Sequence, residues 1–157
     1  MFKINDYVIY KSDVCLINDI KKIHDLDYYV ITPINDSSLK INLPSDSKFI
    51  RAIISYEDAI KIIDNIPNVQ VVDASNDKAL EQIYKKLLMS DDLNDLVVVV
   101  KTTYLRNKNR LDKGKKNGSV DTFYYEEGIK KLFSELSITL KLDEDKIESI
   151  FFEQMSK

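Results

Sequence analysis

Tryptophan is absent from the 157 residues, and cysteine and histidine occur once each, as Cys15 and His24. A single cysteine excludes an internal disulfide and fits a reducing compartment. One thiol and one imidazole also fall short of a structural zinc site. Glycine is nearly as scarce. Gly114, Gly118 and Gly128 are the only three, and none belongs to a GxGxxG or GKS/T string, so no phosphate-cradling loop is encoded. Long apolar runs are missing too. No segment reaches the roughly 20 residues that span a bilayer, and MFKINDYVIY lacks an apolar run behind a basic start. The expectation is a soluble, cytoplasmic protein with no membrane partner.

Candidate catalytic groups are equally sparse. His24, Asp25 and Asp27 fall in an expected hairpin turn, where polar residues are ordinary. Asp91, Asp92 and Asp95 fall at an expected helix start, where the macrodipole favours negative charge. A non-catalytic chain without cofactor or metal is the reading these residues support.

The formal charge of −3 conceals a segregation. Between Lys101 and Gly118 seven basic residues (Lys101, Arg106, Lys108, Arg110, Lys113, Lys115, Lys116) face one acid, Asp112, a local balance of +6 against −9 elsewhere. Such a stretch is either a polyanion-facing patch on an acidic body or a solvated loop kept soluble by lysine.

Periodicity divides the chain. Phe2 and Ile4, Tyr7 and Ile9, Val14 to Ile20, Tyr28 to Ile31, and Leu39, Ile41 and Leu43 alternate or cluster like strands, punctuated by KSD, HDLD, NDSS and PSDS. Five short strands in about 50 residues suggest a small antiparallel barrel-like module of SH3 or Tudor type. Ser55 with Asp58 then opens a helix with Ala59, Ile62, Ile63 and Ile66 on one face, ending at Pro67. After a connector at 68–75, Leu80, Ile83, Tyr84, Leu87 and Leu88 give the clearest helical spacing. Ser90 is the expected cap of the next helix, in which Val97 to Val100 set β-branched preference against helical spacing, and the flanking spacing favours a helix. A basic, glycine-containing loop over 108–117, a helix from Tyr125 to Leu140 and a last helix capped by Asp143 complete an α+β architecture. The expected division is a β module with its closing helix over 1–67 and a helical bundle over 68–157.

Binding is the function class left. A β module offers edge strands for a partner strand to extend, and basic side chains on helices hold phosphates. Lys78 and Lys85 lie two helical turns apart on one face with Lys86 beside them, opposite the apolar stripe.

The succession FKINDYVIYKSDVCLINDI, YYVI, LKINLP and IRAIIS resembles the N-terminal module of the CarD-like bacterial transcription regulators, shared with the RNA-polymerase-interacting domain of the transcription-repair coupling factor. KALEQIYKKLLMSDDLNDLVVVVKTTYLRNKNR and GIKKLFSELSITLKLDEDKIESI are similar to that family's helical half. The resemblance implies a monomeric, non-catalytic factor that binds the RNA polymerase β subunit and contacts promoter DNA, modulating the open complex. It further implies a polymerase-facing strand of Leu39, Lys40, Ile41, Asn42 and Leu43, with Lys21, Lys22 and Ile23 on a neighbouring strand. DNA-facing groups would be Lys78, Lys85, Lys86, Arg106, Lys108, Arg110, Lys113, Lys115 and Lys116.

The chain departs from the family in places. Asn5-Asp6 replaces a Gly-Asp, Lys11-Ser12-Asp13 replaces a glycine-containing turn, and Asn42 replaces an arginine in the polymerase-facing strand. The family's tryptophan wedge is missing, and the corresponding stretch reads Ser75-Asn76-Asp77-Lys78. Loss of a stacking ring costs on the order of 1–3 kcal/mol of DNA engagement. The alternative expectation is therefore an adaptor that keeps the fold and no longer engages DNA.

Overall fold

The computed structural model describes residues Met1–Lys157, which separate into two compact units, Met1–Ile53 and Ile54–Lys157. The first is a five-stranded antiparallel sheet built from β1 (Tyr7–Tyr10), β2 (Asp13–Ile23), β3 (Leu26–Pro33), β4 (Ile41–Pro44) and β5 (Ile50–Ala52), in the order β4-β3-β2-β1-β5. The sheet is open. β4 and β5 are its two edges and do not pair, so the expected barrel is not closed.

The two tight hairpins are made without glycine. Tyr10 pairs with Asp13 across Lys11 and Ser12 (φ 49° and 72°), and Ile23 pairs with Leu26 across His24 and Asp25 (φ 50° and 65°). Positive φ at both central residues gives the turn whose twist matches the flanking strands, a geometry that asparagine-glycine usually supplies. Each non-glycine residue held there is strained by roughly 1 kcal/mol.

One face of the sheet gathers Val8, Cys15, Ile17, Tyr29, Ile31 and Leu43 into a core. Phe2 and Ile4, expected to alternate in a strand, instead precede β1. Asn5 turns the chain at φ 75°, and Phe2 closes the core edge-on against Tyr29 with ring centroids 5.8 Å apart. The pairing of β2 with β3 slips between Ile17 and Asp19, leaving Asn18 as the bulge.

The second unit contains five α-helices: α1 (Tyr56–Asn65), α2 (Asp77–Met89), α3 (Leu93–Asp112), α4 (Ser119–Leu140) and α5 (Glu144–Met155), with a 3-10 turn at Ile66–Asn68 that holds Pro67. Ser55 caps α1 by accepting from Asp58 N–H at 3.1 Å, and Asp143 caps α5 through Lys146 N–H at 2.9 Å. The unit boundary lies at Ile53/Ile54, ahead of the expected 67/68. Ala59, Ile62 and Ile63 of α1 pack in the helical core, which claims the helix.

Three helix ends differ from expectation, and one is the start of α4, at Ser119 ahead of the expected Tyr125. Asp92, not Ser90, caps α3, accepting from Asn94 N–H at 2.9 Å, while the Ser90 hydroxyl accepts from Asp92 N–H at 3.1 Å and donates to Asp95 at 2.6 Å. α3 continues through Lys108 and Arg110 to Asp112, so the basic loop is reduced to residues 113–118. The four valines are helical. Val97, Val99 and Val100 are buried, and their packing overrides the side-chain preference for a strand. Gly128 on α4 permits the close approach, since a Cβ there would lie 2.9 Å from Val100 Cγ2. No helix is long and apolar enough to cross a membrane.

Candidate binding surfaces

β4 has one neighbour, β3, and its other side is an edge. Ser45 N–H donates to the Asp27 carbonyl at 2.9 Å, in register with Leu43 opposite Tyr29 and Ile41 opposite Ile31. Ladder bonds alternate along an antiparallel pair. The main-chain N–H and C=O of Asn42, and the ring nitrogen of Pro44, therefore face away from β3. Asn42 is exposed, and Leu43 is anchored in the sheet core. The expected recognition strand of 39–43 is shorter than its alternation suggested. Leu39 and Lys40 precede β4, with Leu39 N–H tied to the Asp36 carbonyl at 3.2 Å.

Lys21, Lys22 and Ile23 do not neighbour β4, because β3 lies between. Lys21 pairs with Tyr28, which pairs with Pro44, so Lys21 is in the row of β4 but two strands, about 10 Å, away. Lys22 and Ile23 sit opposite Asp27 and Leu26 at the hairpin end.

The basic segment divides into three roles. Lys101 is buried at 7% exposure, and its ammonium donates to the carbonyls of Ile66, Pro67 and Val69 at 2.8, 3.1 and 2.9 Å. The Ile66 carbonyl also accepts from Val69 N–H at 3.1 Å, and with all three acceptors at the end of the 3-10 turn Lys101 acts as an internal staple. Burial lowers its pKa from the usual lysine value.

Arg106 and Arg110, one turn apart, converge on buried Asp121 of α4. Arg106 Nε and Arg110 Nη1 reach one carboxylate oxygen at 2.9 and 2.6 Å, and the Tyr84 hydroxyl donates to the other at 2.8 Å. Arg110 Nη1 also donates to Asn107 Oδ1 at 2.7 Å, which accepts from Gly118 N–H at 2.9 Å. The network joins α2, α3 and α4 and fixes the start of α4. Burial, reinforced by the bond to Asp121, raises the Tyr84 phenol well above the ordinary tyrosine range. Asp77, at the first turn of α2, lies 3.5 Å from Arg106 Nη2.

The remaining cations are open to solvent. Lys78, Lys86, Lys108, Lys113, Lys115 and Lys116 are exposed, and Lys85 makes only a loose surface pair with Glu81 at 3.7 Å. Lys108 is two residues from both Arg106 and Arg110 and so projects from another face of α3. There it lines a groove of about 500 Å³ with Tyr104, Leu111, Tyr125, Ile129 and Phe152. The expected DNA-facing residues are thus not one set: Arg106 and Arg110 are held by Asp121, Lys108 borders the groove, and the lysines of α2 and of the 113–118 loop stand in solvent. Asp121 and the groove were not found from sequence. The available signal was the four-residue spacing of Arg106 and Arg110, which surface helices also show.

Cys15 and His24 do not converge. Cys15 is buried in the sheet core, its thiol pushed up to about 11 by burial and by Asp13, whereas His24 is exposed in the β2–β3 turn. No group of three or more His, Cys, Asp or Glu side chains is arranged to hold a metal ion. No protein-family model and no curated protein matches the chain.

Proposed function

We propose that the chain is a divergent CarD-like transcription regulator that binds the RNA polymerase β subunit through the β4 edge and contacts promoter DNA through its helical unit, modulating open-complex stability without catalysis. The observation that carries the reading is the outward-facing main chain of Asn42 on a strand with one neighbour. A partner strand extends such an edge by main-chain hydrogen bonds, with Ile41 and Asn42 setting selectivity through their side chains. The exposed lysines of α2 and of the 113–118 loop supply sequence-independent phosphate contacts.

An adaptor reading, in which the partner is bound but DNA is not, is favoured by one observation. Lys101, Arg106 and Arg110 are engaged internally, so fewer cations face solvent than the sequence count implies.

Pull-down with the isolated polymerase β lobe at low salt tests the first surface. Asn42→Pro removes an outward N–H and no β3–β4 ladder bond, a position where an edge strand tolerates proline. The wild-type chain retains the lobe, and the variant loses about tenfold or more in affinity. No retention by the wild-type chain would falsify the reading.

A further inference from the structure

We infer that the groove between α3, α4 and α5 receives an unstacked base of a single-stranded nucleic acid, with the adjoining phosphates held by Lys108 and the 113–118 loop. This deepens the nucleic-acid half of the proposed function and rests on it.

Shape and lining argue for a planar, aromatic occupant. The volume, about 500 Å³, is that of a small-molecule site. Its walls are rings: Tyr104 and Phe152 stack at 5.3 Å with 25° between planes, and Tyr104 and Tyr125 are 6.4 Å apart. Ring faces of this kind hold bases with little regard to sequence. A base paired within a duplex is stacked on both sides and does not enter a walled groove, so the preferred form is a single strand or a melted junction.

Charge argues for a polyanion at the mouth. Lys108 lines the groove, and so does Asn117, the residue after Lys115 and Lys116. The loop is folded back on the end of α3 by Gly114 N–H to Leu111 O at 3.0 Å and Lys115 N–H to Arg110 O at 2.8 Å. Lys108, Lys113, Lys115 and Lys116 are exposed and make no ion pair, in contrast to Arg106 and Arg110. Glu126 is the one acid of the lining. Its carboxylate repels phosphate and accepts from a base N–H, such as N3–H of thymine, which directs the base inward and the backbone toward the lysines.

The probes are fluorescein-labelled deoxythymidine decamer, the same strand in duplex with deoxyadenosine decamer, and an abasic decamer of equal phosphate count, titrated at low salt. Wild-type protein binds the deoxythymidine strand about tenfold more tightly than the abasic strand and more tightly than the duplex, as expected for one stacked base. Tyr125→Leu and Phe152→Leu each cost about fivefold on that strand and leave the duplex unchanged. Lys113, Lys115 and Lys116 all changed to Ala weaken every probe. A strand carrying 2-aminopurine gives a second reading with unaltered protein: its emission falls on binding.

Equal binding of the abasic and deoxythymidine strands, both weakened by the triple lysine variant, overturns the base pocket and leaves the phosphate-contact reading standing. Failure of every oligonucleotide to bind overturns both. Tighter binding of a labelled glutamate-rich peptide with an aromatic anchor, lost in Tyr125→Leu, overturns the assignment in favour of a protein occupant.

Discussion

The sheet unit and the helical unit use their polar residues in opposite ways. In the sheet, polar main chain is turned outward at β4, and the lysines of β2 stand exposed on a strand. In the helical unit the most basic stretch is partly folded inward, with Lys101 on three carbonyls and Arg106 and Arg110 on Asp121. A local charge of +6 therefore overstates the field that a partner meets. Only the lysines that nothing inside the fold uses remain to form a surface.

Removing the internal acceptor should break this contrast most severely. Asp121→Ala leaves two partly buried guanidiniums and the Tyr84 hydroxyl without their partner. The expected loss is about 3–5 kcal/mol, read as a lower urea midpoint by helical circular dichroism. A loss below about 1 kcal/mol would mean that Arg106 and Arg110 are as available to a partner as their sequence suggests.

Alkaline pH sharpens the comparison without mutation. Tyr84, Tyr124 and Tyr125 all have raised values, each chiefly through burial, with Tyr125 at about 12. In the unfolded chain these phenols ionise near 10.0, while in the fold they stay neutral, so stability is full below that pH and is lost as pH rises through the folded values. Tyr84 alone adds a slope approaching about 1.4 kcal/mol per pH unit. Lys101, lowered from 10.5, acts in the opposite direction, but one ammonium is outweighed by three phenols. Thermal midpoints measured from pH 8 to 11 should fall from about pH 10, and Tyr84→Phe should flatten the fall.

The smallest effect belongs to the sheet. Asp25→Gly relieves a residue held at φ 65° in the β2–β3 turn, and the expected gain is about 0.5–1 kcal/mol in urea unfolding. A loss there would show that the Asp25 side chain contributes more than its backbone costs.

Most elements were legible in the sequence because their signals are local. Ser55 and Asp143 mark helix starts by accepting N–H groups three residues on, Pro67 ends α1 because it has no N–H to continue the helix, and the apolar spacing after Lys78 places α2. What escaped is of two kinds, competition between near neighbours and contacts between residues distant in sequence. Ser90 and Asp92 are both capping residue types two positions apart; Ser90 accepts from Asp92 N–H and Asp92 from Asn94 N–H. Leu39 continues the alternation of Ile41 and Leu43, but the turn from Asp36 holds its backbone. Asp121 and the groove arise only when α3 and α4 lie side by side, a juxtaposition that spacing along one helix does not encode.

The most direct test of the account is the lifetime of promoter open complexes formed by the cognate RNA polymerase, measured by heparin challenge with and without the protein. A severalfold change is expected with the wild-type chain, needing about tenfold more protein with Asn42→Pro and reduced when Lys113, Lys115 and Lys116 are all changed to Ala. An unchanged lifetime at a protein concentration that saturates the polymerase β lobe would contradict it.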